Sequence, residues 1–172
     1  RAATSGDRIA LIAAVGNDDL GRAALEGLGR NSVDTSRCVV VQDQPSGVAQ
    51  IVVSEAGENS IVVAPGANAM LSSDHIAAFA AEISRSDVLL LQLETPVDTV
   101  LTAARLGAAG ACRVILNPAP AAELPEELFG LLSLITPNES EALAITGHPV
   151  EDETGAARAA AALHDRGVPL VV

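Results

Sequence analysis

Three apolar runs of strand length, each closing on a polar or proline-rich turn, limit what this chain can fold into. Asp87-Val88-Leu89-Leu90-Leu91-Gln92-Leu93 ends in Glu94, Arg113-Val114-Ile115-Leu116 ends in Asn117-Pro118-Ala119-Pro120, and Leu131-Leu132-Ser133-Leu134-Ile135 ends in Thr136-Pro137-Asn138. Runs without in/out alternation are expected of strands buried on both faces, as in a parallel sheet. Between the first two lies Val97 to Gly110, with Val97, Val100, Leu101 and Ala104 at helical spacing. Strand, helix, strand predicts an α/β fold, and open α/β sheets bind ligands outside the carboxyl ends of their strands. Glu94, Asn117 and Asn138 are therefore expected in one crevice. Each is also a residue type common at turns and caps, so the weight rests on the repetition.

Asn138 and Glu141 open the helix after the third run. The pair reads in two ways. One is a capping box, in which Asn138 caps the helix and Glu141 reaches back to the Asn138 N–H. The other is a phosphate site, since the first turn offers unpaired N–H groups and a positive dipole end. In that reading a carboxylate one turn in holds hydrated Mg²⁺, which keeps most of its waters.

Elsewhere the spacing predicts a strand over 8–15 and a helix over 18–29, with Leu20, Ala24, Leu25 and Leu28 on one side. Strands follow at 37–42, 47–54 and 60–64, the last two joined by the turn Glu55 to Asn59. That change of pattern predicts a hairpin outside the parallel sheet. Its strand Val48 to Val53 is apolar on both faces, so a small sheet covered on one face leaves apolar surface in water. Ser72-Ser73-Asp74 caps a helix to about Ser84, Glu126 to Gly130 is a short helical turn, and Asn138 to Thr146 ends at Gly147. Asp152 to Arg166 is a further helix, leading into a strand at Val168 to Val172.

Several classes are excluded. Ten Arg, no Lys and a net charge of −12 leave no basic face for nucleic acid. No run approaches the ~20 apolar residues of a membrane span, and no signal-peptide pattern appears, so a cytoplasmic, non-membrane protein is the expectation. There is no Walker loop and no G-x-S-x-G elbow. Cys38 and Cys112 lack C-x-x-C pairing and read as small buried hydrophobes. His75, His148 and His164 show no ligand spacing.

Leu91-Gln92-Leu93-Glu94-Thr95-Pro96, Leu116-Asn117-Pro118-Ala119-Pro120-Ala121 and Thr136-Pro137-Asn138-Glu139-Ser140-Glu141-Ala142, in that order, resemble the ribokinase-like (PfkB-type) carbohydrate kinases. Val15 to Gly21, Ser46 to Ala49 and Gly66-Ala67-Asn68 extend the resemblance from about Ser5 to Val172. Gln92-Leu93-Glu94 and Asn117 to Pro120 point more narrowly to the D-ribose-phosphorylating type member. The resemblance implies a Rossmann-like, mostly parallel sheet with helices on both faces, plus a small β lid to which residues 37–66 contribute. It implies ATP and Mg²⁺, with K⁺ as a further cation whose ligands lie downstream of Val172. Glu94 would bind the sugar hydroxyls, Ala49 and Val63 would be apolar lid contacts over the sugar, Asn138 would meet the ATP phosphates, and Glu141 would hold Mg²⁺ through water. Two lids pairing would make a homodimer.

Two parts of the family pattern are missing: the Gly-Gly-x-x-x-Asn segment that grips the sugar, and the Gly-Ala-Gly-Asp turn whose Asp is the catalytic base. Arg1 is expected to begin within a helix and Val172 to stop within a strand. The expectation is thus a partial domain over 1–172, the middle of a kinase, inactive by itself. Three alternatives stay open: a kinase for another pentose or a nucleoside, one for fructose phosphate, and a non-catalytic remnant that binds sugar or nucleotide.

Overall fold

The structure, a computed structural model, describes residues 8–172. The expected opening helix at Arg1 falls on residues 1–7 and lies outside the described residues. The chain divides into two compact units, Arg1–Leu71 and Ser72–Val172.

In the N-terminal unit the strand predicted over 8–15 is two short ones, β1 (Ile9–Ala10) and β2 (Ala14–Gly16). After α1 (Asp19–Arg30), β3 (Val33–Asp34) pairs parallel with β1, and β4 (Val39–Val41) pairs parallel with β2. Of the side expected to be buried, helix α1 half-buries Leu25 and Leu28 and leaves Leu20 and Ala24 exposed. Leu20 is 57% exposed and Gly21 is buried. A Cβ on Gly21 would stand 2.3 Å from the Gly16 carbonyl oxygen, so the helix meets β2 through its glycine and turns Leu20 outward.

The predicted hairpin forms from β5 (Val48–Val53) and β6 (Asn59–Ala64), antiparallel, with Ala49 opposite Val63 and Ile51 opposite Ile61. A 3-10 helix, Gly66–Met70, follows it. The large apolar residues of the hairpin are exposed on both faces, from 45% at Val48 to 67% at Val52.

The C-terminal unit holds the parallel sheet. Strands β7 (Val88–Leu91), β8 (Arg113–Leu116) and β9 (Leu134–Ile135) lie in that order, with Leu91 beside Leu116 and Leu116 beside Ile135. The predicted last strand contributes one parallel bridge, Val171 to Ile135. The predicted helix over 97–110 is α4 (Val97–Ala109), which buries Val100, Leu101, Ala103, Ala104 and Gly107. A Cβ on Gly107 would come within 2.9 Å of Val114 Cγ2 and 3.1 Å of Leu89 Cδ2, so the glycine lets α4 settle on the sheet.

Around that face Leu116, Leu128, Phe129, Ile135, Leu163 and Val168 make one core. They come from β8 and β9, from α5 (Glu126–Phe129) and α7 (Glu153–Asp165), and from the turn after α7. Burial on both faces does not hold for β7. Leu89 and Leu91 pack on the core, whereas Leu90, on the opposite face, is 73% exposed.

The helix predicted over 72–84 is broken into α2 (Ser73–Ala77) and α3 (Ala80–Ile83). Phe79 sits at φ −108°, ψ 17°, and its N–H donates to the Ile76 carbonyl three residues back, too tight a bond to continue an α-helix. Between α6 (Glu139–Thr146) and α7, Gly147 at φ 74° takes the left-handed cap that stops α6.

Candidate active site at the carboxyl edge of the sheet

Because β7, β8 and β9 run parallel, their carboxyl ends share one edge, and the turns that leave them carry the predicted residues. Asn117 follows β8 directly, Glu94 lies three residues beyond β7, and Asn138 lies three beyond β9. Backbone bonds tie these exits together. The Asn117 N–H donates to the Leu91 carbonyl at 2.9 Å, the Thr136 N–H to the Leu116 carbonyl at 3.0 Å, and the Leu93 N–H to the Ala119 carbonyl at 2.9 Å. The edge is therefore set by main chain, and the side chains on it are free to differ.

Glu94 is exposed, and its own N–H donates to the Gln92 side-chain oxygen. That turn fixes the backbone and leaves the carboxylate in solvent. Asn117 is exposed as well, with its neighbour Pro118 in the core.

The Asn138–Glu141 pair forms the capping box in full. Asn138 Oδ1 accepts from the Glu141 N–H at 2.8 Å and from the Ser140 hydroxyl at 2.8 Å, which occupies both its lone pairs. Asn138 Nδ2 donates to Glu141 Oε1 at 2.9 Å, and the Asn138 N–H donates to Oε2 at 3.0 Å. Glu141 is 6% exposed and well satisfied. The box leaves one Nδ2 hydrogen of Asn138 outside it, together with the first-turn N–H groups of Glu139 and Ser140, both residues exposed. It also leaves about two acceptor positions on the Glu141 carboxylate.

Beside the box opens a cleft of about 730 Å³, with Asn138, Glu139 and Ser140 on its polar rim and Ala159, Leu163 and Val171 on its apolar floor. Among the described residues, no three His, Cys, Asp or Glu side chains cluster as a metal cage. The donor set fits a cation held through its waters better than one coordinated directly by protein.

Ala49 and Val63 belong to the other unit. They face each other across the hairpin in direct register, on one face and exposed. The remaining candidates stay chemically quiet. Burial pushes the thiols of Cys38 and Cys112 up, away from reactive thiolate. His75 takes part in the cap of α2, and His164 Nδ1 lies 2.7 Å from the Val168 carbonyl oxygen.

Sequence reasoning missed a carboxylate in the N-terminal unit. Asp18 accepts from Ser46 and from Gly21, and these bonds, the Ser46 N–H first, hold its carboxyl down at about 2. Both segments are quoted in the resemblance, yet nothing local in either signals the other.

Against known proteins, the model of the pfkB family carbohydrate kinases matches residues 2–172. The ribokinase of Haemophilus influenzae is 41% identical over 171 residues, covering 99% of this chain and 56% of that protein. The ribokinase of Mus musculus is 38% identical over 173 residues, covering 100% of this chain and 54% of that protein. The structure of Arabidopsis thaliana ribokinase complexed with ribose and ATP superposes with a TM-score of 0.85 at 26% identity, over 98% of this chain and 55% of that one. The chain spans about half the length of these relatives.

Proposed function

The chain belongs to the pfkB family of carbohydrate kinases, and on that premise we propose that its protein transfers the γ-phosphoryl group of ATP to a hydroxyl of a small sugar, D-ribose foremost. The products are ADP and D-ribose 5-phosphate. The observation that carries this reading is the shared carboxyl edge of β7, β8 and β9, which collects an exposed carboxylate and a helix start with open N–H donors.

Glu94 accepts hydrogen bonds from the sugar hydroxyls, where a carboxylate supplies acceptors only and makes charge-assisted bonds. Ala49 and Val63 are apolar contacts over the sugar. At the other side of the edge, the spare Nδ2 hydrogen of Asn138 and the N–H groups of Glu139 and Ser140 meet the ATP phosphates. Glu141, tied down by Asn138, presents its remaining acceptors to the water shell of Mg²⁺. That ion, when bound, neutralises phosphate charge as the γ-phosphoryl group passes to the acceptor.

In the transfer, a sugar oxygen bonds to the γ-phosphorus, the bond to the bridging oxygen of ADP breaks, and the hydroxyl proton leaves to a base. Residues 1–172 hold no Gly-Ala-Gly-Asp turn, so that proton is assigned to no residue here. The same reading includes a homodimer through the hairpin, a dependence on K⁺ and a cytoplasmic setting.

The test is a coupled ADP-release assay on the full-length protein with D-ribose, other pentoses and fructose 6-phosphate. The expected result is D-ribose as the preferred acceptor, with Glu94→Gln lowering kcat/KM for it on the order of a hundredfold. Ribose binding without ADP formation, by wild type with ATP and Mg²⁺ present, would overturn the kinase reading.

A further inference from the structure

We infer that Asp18 is a positioning residue that anchors the root of the β5–β6 hairpin and so sets where Ala49 and Val63 stand. The inference rests on the kinase reading for its purpose, though not for its geometry.

Asp18 is the N-cap of α1, and a cap needs one bond: Oδ1 accepts from the Gly21 N–H at 2.8 Å. The carboxylate makes two more, both to one residue 28 positions away. Oδ2 accepts from the Ser46 N–H at 2.7 Å, and Oδ1 accepts from the Ser46 hydroxyl at 2.7 Å. The same hydroxyl oxygen accepts from the Gly16 N–H at 3.0 Å. Ser46, 6% exposed, thus joins the end of β2, the start of α1 and the entry to β5.

The surrounding backbone is packed too closely for any side chain. A Cβ on Gly16 would stand 2.4 Å from the Ser46 nitrogen, and one on Gly21 would stand 2.9 Å from the Ser46 hydroxyl. The exit of the hairpin returns to the same place. Gly66 takes φ +50°, with its absent Cβ 2.4 Å from the Pro45 carbonyl, which in turn accepts the Ala67 N–H at 2.8 Å. Both hairpin strands therefore leave from one knot, and beyond it their side chains are exposed. Whatever fixes Ser46 therefore bears on the direction of two strands whose own side chains are exposed.

Asn is as good an N-cap as Asp, and that separates the two roles. In the full-length protein, Asp18→Asn keeps the bond to the Gly21 N–H through Oδ1 but puts an amide donor where Oδ2 stood, against the Ser46 N–H. The expected result is amide hydrogen exchange roughly tenfold faster across β5 and β6, with β7 to β9 unchanged. KM for the sugar rises several-fold while KM for ATP holds. Ser46→Ala should move the same readouts in the same direction, and the double variant should add little to either. Asp18→Asn matching wild type in hairpin exchange would reduce the residue to a helix cap and overturn the anchor. Faster exchange in both units together, or both KM values moving together, would equally overturn it. If the unsubstituted protein phosphorylates no sugar, the kinase reading falls, and the exchange pattern still decides whether Asp18 holds the hairpin.

Discussion

Two sets of strands in this chain are built from the same kinds of residue and meet opposite fates. In the C-terminal unit, Val114, Leu116 and Ile135 are fully buried against helices. In the hairpin, Val52, Ile51 and Val63 lie mostly in solvent. A Val or Ile in the first setting contributes to stability through burial and close packing. The same residue in the second contributes little to the folded chain, and an exposed apolar patch marks a surface that meets something else. Apolar β-sequence thus reports that a surface needs covering. It does not say whether the cover is internal.

The comparison can be broken by substitution. Leu116→Ala, in the middle of the buried cluster, is expected to cost about 3 kcal/mol, through lost transfer energy and the cavity left behind. Urea unfolding of the full-length protein checks it, and a loss under about 1 kcal/mol would mean the core collapses around the gap. Ile51→Ser in the hairpin is expected to change stability by no more than about 0.5 kcal/mol, as exposed sites do. Its effect should instead appear in self-association, read by sedimentation at several concentrations. A large stability loss would show that the hairpin is held by packing after all.

The smallest expected effect sharpens the comparison at the point where the hairpin meets its unit. The Asp18 carboxyl is depressed from 3.8 to about 2, chiefly by the Ser46 N–H, then by the Gly21 N–H. A depressed carboxyl stabilises the folded state above its unfolded value and loses that contribution as pH falls through its folded value. Hairpin amide exchange, taken relative to the intrinsic rate at each pH, should therefore begin to rise below about pH 4 and level off near pH 2. Asp18→Asn should flatten that rise.

Legibility in the sequence followed the range of the interaction. The Asn138–Glu141 box was readable because a cap and its partner lie three positions apart, and the hairpin because its turn joins two adjacent runs. The choice between cap and phosphate site was not readable, since the same residues at the same spacing suit either. Leu20 shares the apolar periodicity of α1 yet faces solvent, because periodicity cannot see that Gly21 approaches β2. Leu90 was expected inside because a continuous apolar run does not reveal which face a helix covers. The break at Phe79 has no Gly or Pro to announce it. The bond from Asp18 to Ser46 spans 28 positions, and no local pattern carries such a link.

The backbone bonds among the turns after β7, β8 and β9 have a consequence for how such a protein diversifies. Those bonds use N–H and carbonyl groups common to almost every residue, so the frame tolerates replacement of the side chains displayed upon it. Under the proposed function, acceptor preference around Glu94 would be able to drift in one lineage while the end around Asn138 stays put, since each hangs from its own strand.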